Sequence, residues 1–136
     1  MKRIFFFSLP LLAVLNLFAK EVYIDPGPNA QERLQEALIL IDEGDTLIIK
    51  SGYYKFEDGL SLDVDDVTVK GEGIDSTILD FKNQQSGAQG LLVTSDRVTL
   101  SDFSILDAKG DALKVIGAKG ISMMPLAPIT LSLIHI

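Results

Sequence analysis

The chain has no cysteine and no tryptophan, and its single histidine is His135, next to the last residue. Without cysteine there are no disulfides, no thiolate nucleophile and no thiolate metal site. Without a well-placed histidine, Ser-His and Cys-His nucleophilic pairs are excluded too. Arginine is scarce, with only Arg33 and Arg97 beyond residue 3. Positive charge is short overall, since 12 Lys and Arg face 19 Asp and Glu for a net charge of −7. An acidic surface repels phosphate backbones and anionic lipid, so nucleic acid is not an expected partner. A polyuronate is repelled as well, unless a divalent cation bridges the two. No phosphate-cradling loop is present, because Gly71-Glu72-Gly73 leads into strand-forming residues and not into a helix.

The one long apolar run is at the start. Lys2-Arg3 precede an apolar stretch from Ile4 to Phe18 that contains Pro10, and Ala19 offers a small residue after it. Residues 1–19 therefore read as a secretory leader cleaved after Ala19, too short and too poorly flanked for a stable membrane span. The expected location is periplasmic or extracellular, with no membrane span once the leader is gone. Packing alone must then hold the exported fold.

Between residues 20 and 124 a pattern recurs. Leu60-Ser61-Leu62, Leu91-Leu92-Val93 and Leu113-Lys114-Val115 are each followed seven or eight residues later by a second short run. Those second runs are Val67-Thr68-Val69, Val98-Thr99-Leu100 and Ile121-Ser122-Met123. A third run sits between repeats, as Ile78-Leu79-Asp80 and as Ile105-Leu106-Asp107. Three short strands per turn of about 22 residues, each stacked on the next, predict an all-β solenoid. The first interval is longer than the second, and the polar stretch 82–89 accounts for the excess as an insertion loop. Such a loop is either plainly solvated or borders a binding groove.

A stack of this kind needs a cover at its first turn. Leu34, Ala37, Leu38 and Ile41 fall on one helical face, which predicts a capping helix over 30–43. Asn29 is its expected N-cap, with Glu32 completing a capping box, and Gly44 its stop. At the other end, Pro125 and Pro128 break the repeat, so 125–136 is expected to be an irregular tail. Leu131–Ile136 resembles the translation of a sequencing adapter read through at a fragment end. The competing reading is a terminal strand.

The residues that can carry chemistry are acidic. Asp63, Asp65 and Asp66 cluster before one strand, Asp96 sits at the matching corner of the next turn, and Asp80 and Asp107 end the third run. Carboxylates stacked at matching corners can hold Ca²⁺ or supply the acid and base of a glycosidase. Aspartate is also an ordinary turn residue, and no calcium-loop spacing is present. No catalytic or cofactor-binding residue is assigned on this basis. Arg97 lies at a corner too, where it either assists proton removal beside a uronate carboxyl or is simply an exposed charge. Tyr53 and Tyr54 either stack on a sugar ring or pack beneath the lid.

Gly44-Asp45-Thr46-Leu47-Ile48-Ile49, the Gly52-Tyr53-Tyr54 turn, Val67 to Gly73 and Gly90-Leu91-Leu92-Val93 resemble the first coils of right-handed parallel β-helix proteins. The nearest likeness is to secreted bacterial parallel β-helix repeat proteins with no assigned reaction. More distantly, the chain is similar to pectate lyases, polygalacturonases, alginate epimerases and the maturation protein of a periplasmic copper reductase. The resemblance covers Val22 to Met123. It implies a polysaccharide-facing groove along one sheet, with catalytic residues on later coils, so none carries over here. Two other roles stay open: a non-catalytic scaffold at the cell surface or in the periplasm that binds a protein, and an accessory in assembling a copper enzyme. Nothing in the residues sets an oligomeric state.

Overall fold

Short β-branched and leucine-rich runs punctuated by Gly and Asp favour brief strands joined at tight corners. The computed structural model describes residues 18–124 and 131–134. Nearly all of the expected leader, residues 125–130 and His135 lie outside the described residues. The fold is mainly β. Its elements are β1 (Glu21–Ile24), α1 (Ala30–Leu40), β2 (Thr46–Ile49), β3 (Gly52–Lys55), β4 (Leu60–Leu62), β5 (Thr68–Lys70) and β6 (Thr77–Asp80). They continue with β7 (Gln89–Val93), β8 (Thr99–Ser101), β9 (Ser104–Leu106), β10 (Asp111–Ile116), β11 (Ser122–Met123) and β12 (Leu131–Ile134).

Three sheets form, in the orders β1-β2-β5-β8-β11, β4-β7-β10-β12 and β3-β6-β9. Every strand pair is parallel. Consecutive strands never share a sheet along β2–β11; the chain visits the three sheets in fixed rotation, and each strand lies beside the one from the previous circuit. Parallel neighbours need a long crossover, and here the two other strands of the circuit supply it.

Two of the three repeats align as their sequences suggest. Leu60 pairs with Leu91 and Leu91 with Leu113, while Val69 pairs with Leu100 and Leu100 with Met123. The third is shifted by one residue, because Leu79 pairs with Ile105 and Asp80 with Leu106. Asp80 and Asp107 are therefore not equivalent positions. The extra length of the first interval is also divided, contrary to the single insertion expected at 82–89. Thr68 to Ile78 spans ten residues where Thr99 to Ser104 spans five, and Ile78 to Leu91 spans thirteen where Ser104 to Leu113 spans nine. Gln89 already belongs to β7, and Gln84 in the loop is buried. Its side chain donates to the carbonyls of Ser86 and Gln89 and accepts from the Lys109 N–H of the next circuit.

Inward residues of all three sheets meet beneath the helix. Leu34 and Leu38 of α1 line a small apolar void with Ile49, Leu60, Val69, Leu79, Leu91 and Phe103. Phe56 and Phe81 stack at 4.8 Å between ring centroids, one circuit above the other. The helix packs on β1, β3 and β4, as a lid should, but it ends at Leu40 and not at residue 43. The capping box does not form, since Asn29 is itself left-handed (φ 58°, ψ 27°) and its side chain caps nothing. Gly44 (φ 92°) serves the turn into β2, its N–H bonded to Asp66 O at 2.8 Å.

The helix seals the first circuit with two glutamines one turn apart. Gln35 accepts from Ser61 N–H at 2.9 Å and donates to Ser61 O at 3.1 Å, so its amide stands in for a neighbouring strand on β4. Gln31 accepts from the N–H groups of Glu57 and Asp58 and donates to the Asp58 carboxylate. At the far end, Leu131–Ile134 pairs with β10, so a strand lies where an irregular tail is expected. Among the described residues, no helix is long and apolar enough to cross a membrane.

Candidate functional site

The corner before the five-stranded sheet repeats on each circuit. At Gly44, Asp66, Arg97 and Gly120 the backbone is left-handed, with φ of 92°, 57°, 56° and 70°. Each of the middle two bonds to the following circuit: Asp66 N–H reaches Asp96 O at 3.0 Å, and Arg97 N–H reaches Lys119 O at 2.7 Å. Glycine and aspartate suit this conformation; arginine is the less usual tenant.

Four of the six aspartates singled out from the sequence, Asp63, Asp65, Asp66 and Asp96, stand at this corner. Asp63 accepts from the Thr94 hydroxyl at 2.7 Å. Asp65 accepts from Asp96 N–H at 2.8 Å, and Asp96 accepts from Lys119 N–H at 2.9 Å, so each carboxylate ties its circuit to the next. What gathers Asp65, Asp66 and Asp96 together is Arg97. Its guanidinium forks onto Asp66, with Nε to Oδ1 at 2.7 Å and Nη2 to Oδ2 at 3.0 Å. It also reaches Asp65 at 3.7 Å and Asp96 at 3.8 Å. The hydrogen bonds from Arg97, more than its charge, hold the Asp66 carboxyl below the usual range, and the same bonds raise the guanidinium.

These carboxylates already surround a cation. A Ca²⁺ ion needs several oxygens converging on one point, and these converge on a guanidinium. Among the described residues, no three His, Cys, Asp or Glu side chains meet as a metal ligand set does. Arg97, with two hydrogen bonds to Asp66, acts here as a clip between circuits. Its stem lies over the next corner, where a Cβ on Gly120 would sit 3.3 Å from Arg97 Cγ.

A second place was only half visible in the sequence. Alternation along β3 turns Tyr54 inward and Tyr53 outward. Tyr54 is buried, and its single hydroxyl proton lies between two carbonyls, Lys50 O at 2.7 Å and Ile24 O at 3.1 Å. Desolvation pushes its pKa up to about 12. Tyr53 is 51% exposed, and its hydroxyl donates to the Asp80 carboxylate. That bond raises its pKa, with desolvation and the charges of Asp80 and Asp107 adding to it. The ring borders a cleft of about 600 Å³ lined by Gln31, Glu32, Lys55, Glu57, Asp58 and Asn83. Tyr23, also exposed, has Lys50 Nζ 5.6 Å from its ring centroid. No family model, no curated protein and no solved structure matches this chain.

Proposed function

We propose that the chain is part of an exported right-handed parallel β-helix protein that binds polysaccharide. What supports the fold is the rotation of the chain through three parallel sheets with in-register leucine and valine columns. Right-handedness follows the strong general preference of parallel crossovers. The single observation that carries the function is Tyr53, an exposed ring fixed by its bond to Asp80 at the rim of a polar cleft. An aromatic face takes the C–H side of a sugar ring, while neighbouring amides and carboxylates take its hydroxyls. Export follows from the leader residues.

The test is binding to a panel of neutral and acidic polysaccharides, with and without Ca²⁺, by calorimetry. At least one member is expected to bind, with Tyr53→Ala weakening it by tenfold or more and Tyr53→Phe, which keeps the ring, much less. Silence across the panel sinks the reading. A scaffold for a protein partner is the second reading, favoured by Ile39 and Leu40, which stand 64% and 67% exposed on the outer face of α1. Glycan binding that survives Ile39→Ser and Leu40→Ser but not Tyr53→Ala separates the two.

A further inference from the structure

Asp45 sits in the turn before β2 and is only 4% exposed. Its Oδ1 accepts a hydrogen bond from the backbone N–H of Lys20 at 2.9 Å. Its Oδ2 is buried with no hydrogen-bond partner among the described residues. Lys20 Nζ is 4.0 Å away, beyond hydrogen-bond reach, and lies closer to the exposed Asp42 at 3.3 Å. A carboxylate with one amide donor and one orphaned oxygen is a costly thing to bury. The backbone around it is fixed, because Thr46 N–H donates to Lys20 O and Thr68 N–H donates to Asp45 O. The carboxylate lines a cleft of about 340 Å³ shared with Lys20, Tyr23, Arg33, Glu36 and Leu40. Just upstream, Phe18 and Ala19 are exposed and outside any strand, open to a peptidase.

We infer that Asp45 is the receptor for a new chain terminus, the α-ammonium of Lys20 made by cleavage after Ala19. This rests on the leader reading and is independent of glycan binding. Hydrolysis breaks the Ala19–Lys20 amide bond; the hydroxyl of water goes to the Ala19 carbonyl and its hydrogen to the Lys20 nitrogen, which takes up one further proton. One N–H donor thereby becomes three on a full positive charge, already 2.9 Å from Oδ1, and the orphaned Oδ2 gains a donor. Processing then locks β1 onto the edge of the five-stranded sheet.

The test compares the exported chain with one carrying an extra alanine between Ala19 and Lys20, each with and without Asp45→Asn. Mass spectrometry first reads the terminus. Asp45→Asn is expected to lower Tm by about 10 °C when Lys20 is terminal, as loss of a buried ion-pair partner does. The loss is expected to be less than half as large when the extra alanine carries the ammonium one residue away. Equal losses in both backgrounds overturn the proposal, since Asp45 then serves only an amide. The Lys20 α-amine is also expected to react with an acylating reagent about tenfold more slowly in the chain that keeps Asp45 than in the Asp45→Asn chain, because the carboxylate holds the amine in its protonated, unreactive form. Equal rates overturn it as well. A terminus other than Lys20 overturns the proposal together with the cleavage point it rests on, and leaves the glycan reading untouched.

Discussion

At the scale of single residues, Arg97 shows how far identity can mislead without geometry. An arginine at a corner of an acidic chain reads equally as a solubilising charge or as help for proton removal. Its environment makes it a clip across Asp65, Asp66 and Asp96. Arg97 and Asp66 are exposed and Asp65 and Asp96 half-buried, so Arg97→Ala is expected to lower Tm by no more than a few degrees, and by less still in 1 M salt. The pH dependence has a definite sign. Asp66 has its folded pKa lowered by Arg97, so its contribution is fully present above the unfolded carboxylate value of about 4 and fades as pH falls through the folded one. Melts of both proteins should therefore show a constant gap from neutral pH down to about 4 that closes below it. A gap that widens in acid would contradict the assignment. Asn29 is a second case. Asn29 does stand at the N-cap position, but if its side chain capped the helix, serine would replace it well; because it is left-handed, Asn29→Ser is expected to cost about 1 kcal/mol and Asn29→Gly little or nothing, measured by urea denaturation.

Elements were legible wherever side chains alternate over a constant step. Leu-Ser-Leu, Leu-Leu-Val and Leu-Lys-Val announce β4, β7 and β10, and the structure pairs them as spelled. The third run pairs one residue out of step with its matching Ile-Leu-Asp triplets, because corner length varies from circuit to circuit and triplet identity carries no information on it. The acidic corner was legible as a cluster, since Asp favours turns, while its organising cation was not. The glutamine clasp had a faint signal, a pair of Gln at i and i+4 on the polar flank of α1. Nothing in residue type says that an amide will imitate a strand. That imitation has a measurable consequence: Gln35→Ala leaves the N–H and carbonyl of Ser61 facing water. The expected cost is about 1 kcal/mol, with faster amide hydrogen exchange at Ser61 and little change in β7. Uniform acceleration across both strands would mean that α1 holds the stack by apolar contact alone.

At the scale of the whole molecule, strands a little under 5 Å apart in all three sheets leave almost no freedom at the corners. Gly71 marks the limit. Its N–H donates to Ser101 O at 2.8 Å, and a Cβ placed on it would lie 2.2 Å from Asp102 O and 2.8 Å from Phe103 Cβ. Gly90 and Gly110 face the same difficulty, with Ala112 O at 2.7 Å and Ala88 O at 2.3 Å. Gly117 is the contrast, since it has φ of 65° but nothing within 4 Å of an added Cβ. Gly117→Ala should therefore cost only left-handed strain, about 1–2 kcal/mol. Gly71→Ala must push two circuits apart along a ladder that all three sheets share, so its cost is expected to reach about 3 kcal/mol or more. Urea midpoints compared at equal m-values make the distinction. Similar losses at the two glycines would mean that neighbouring circuits can separate independently. The columns of Leu60, Leu91 and Leu113 would then be held by local strand pairing, and the outward ring of Tyr53 would not sit on a rigid frame.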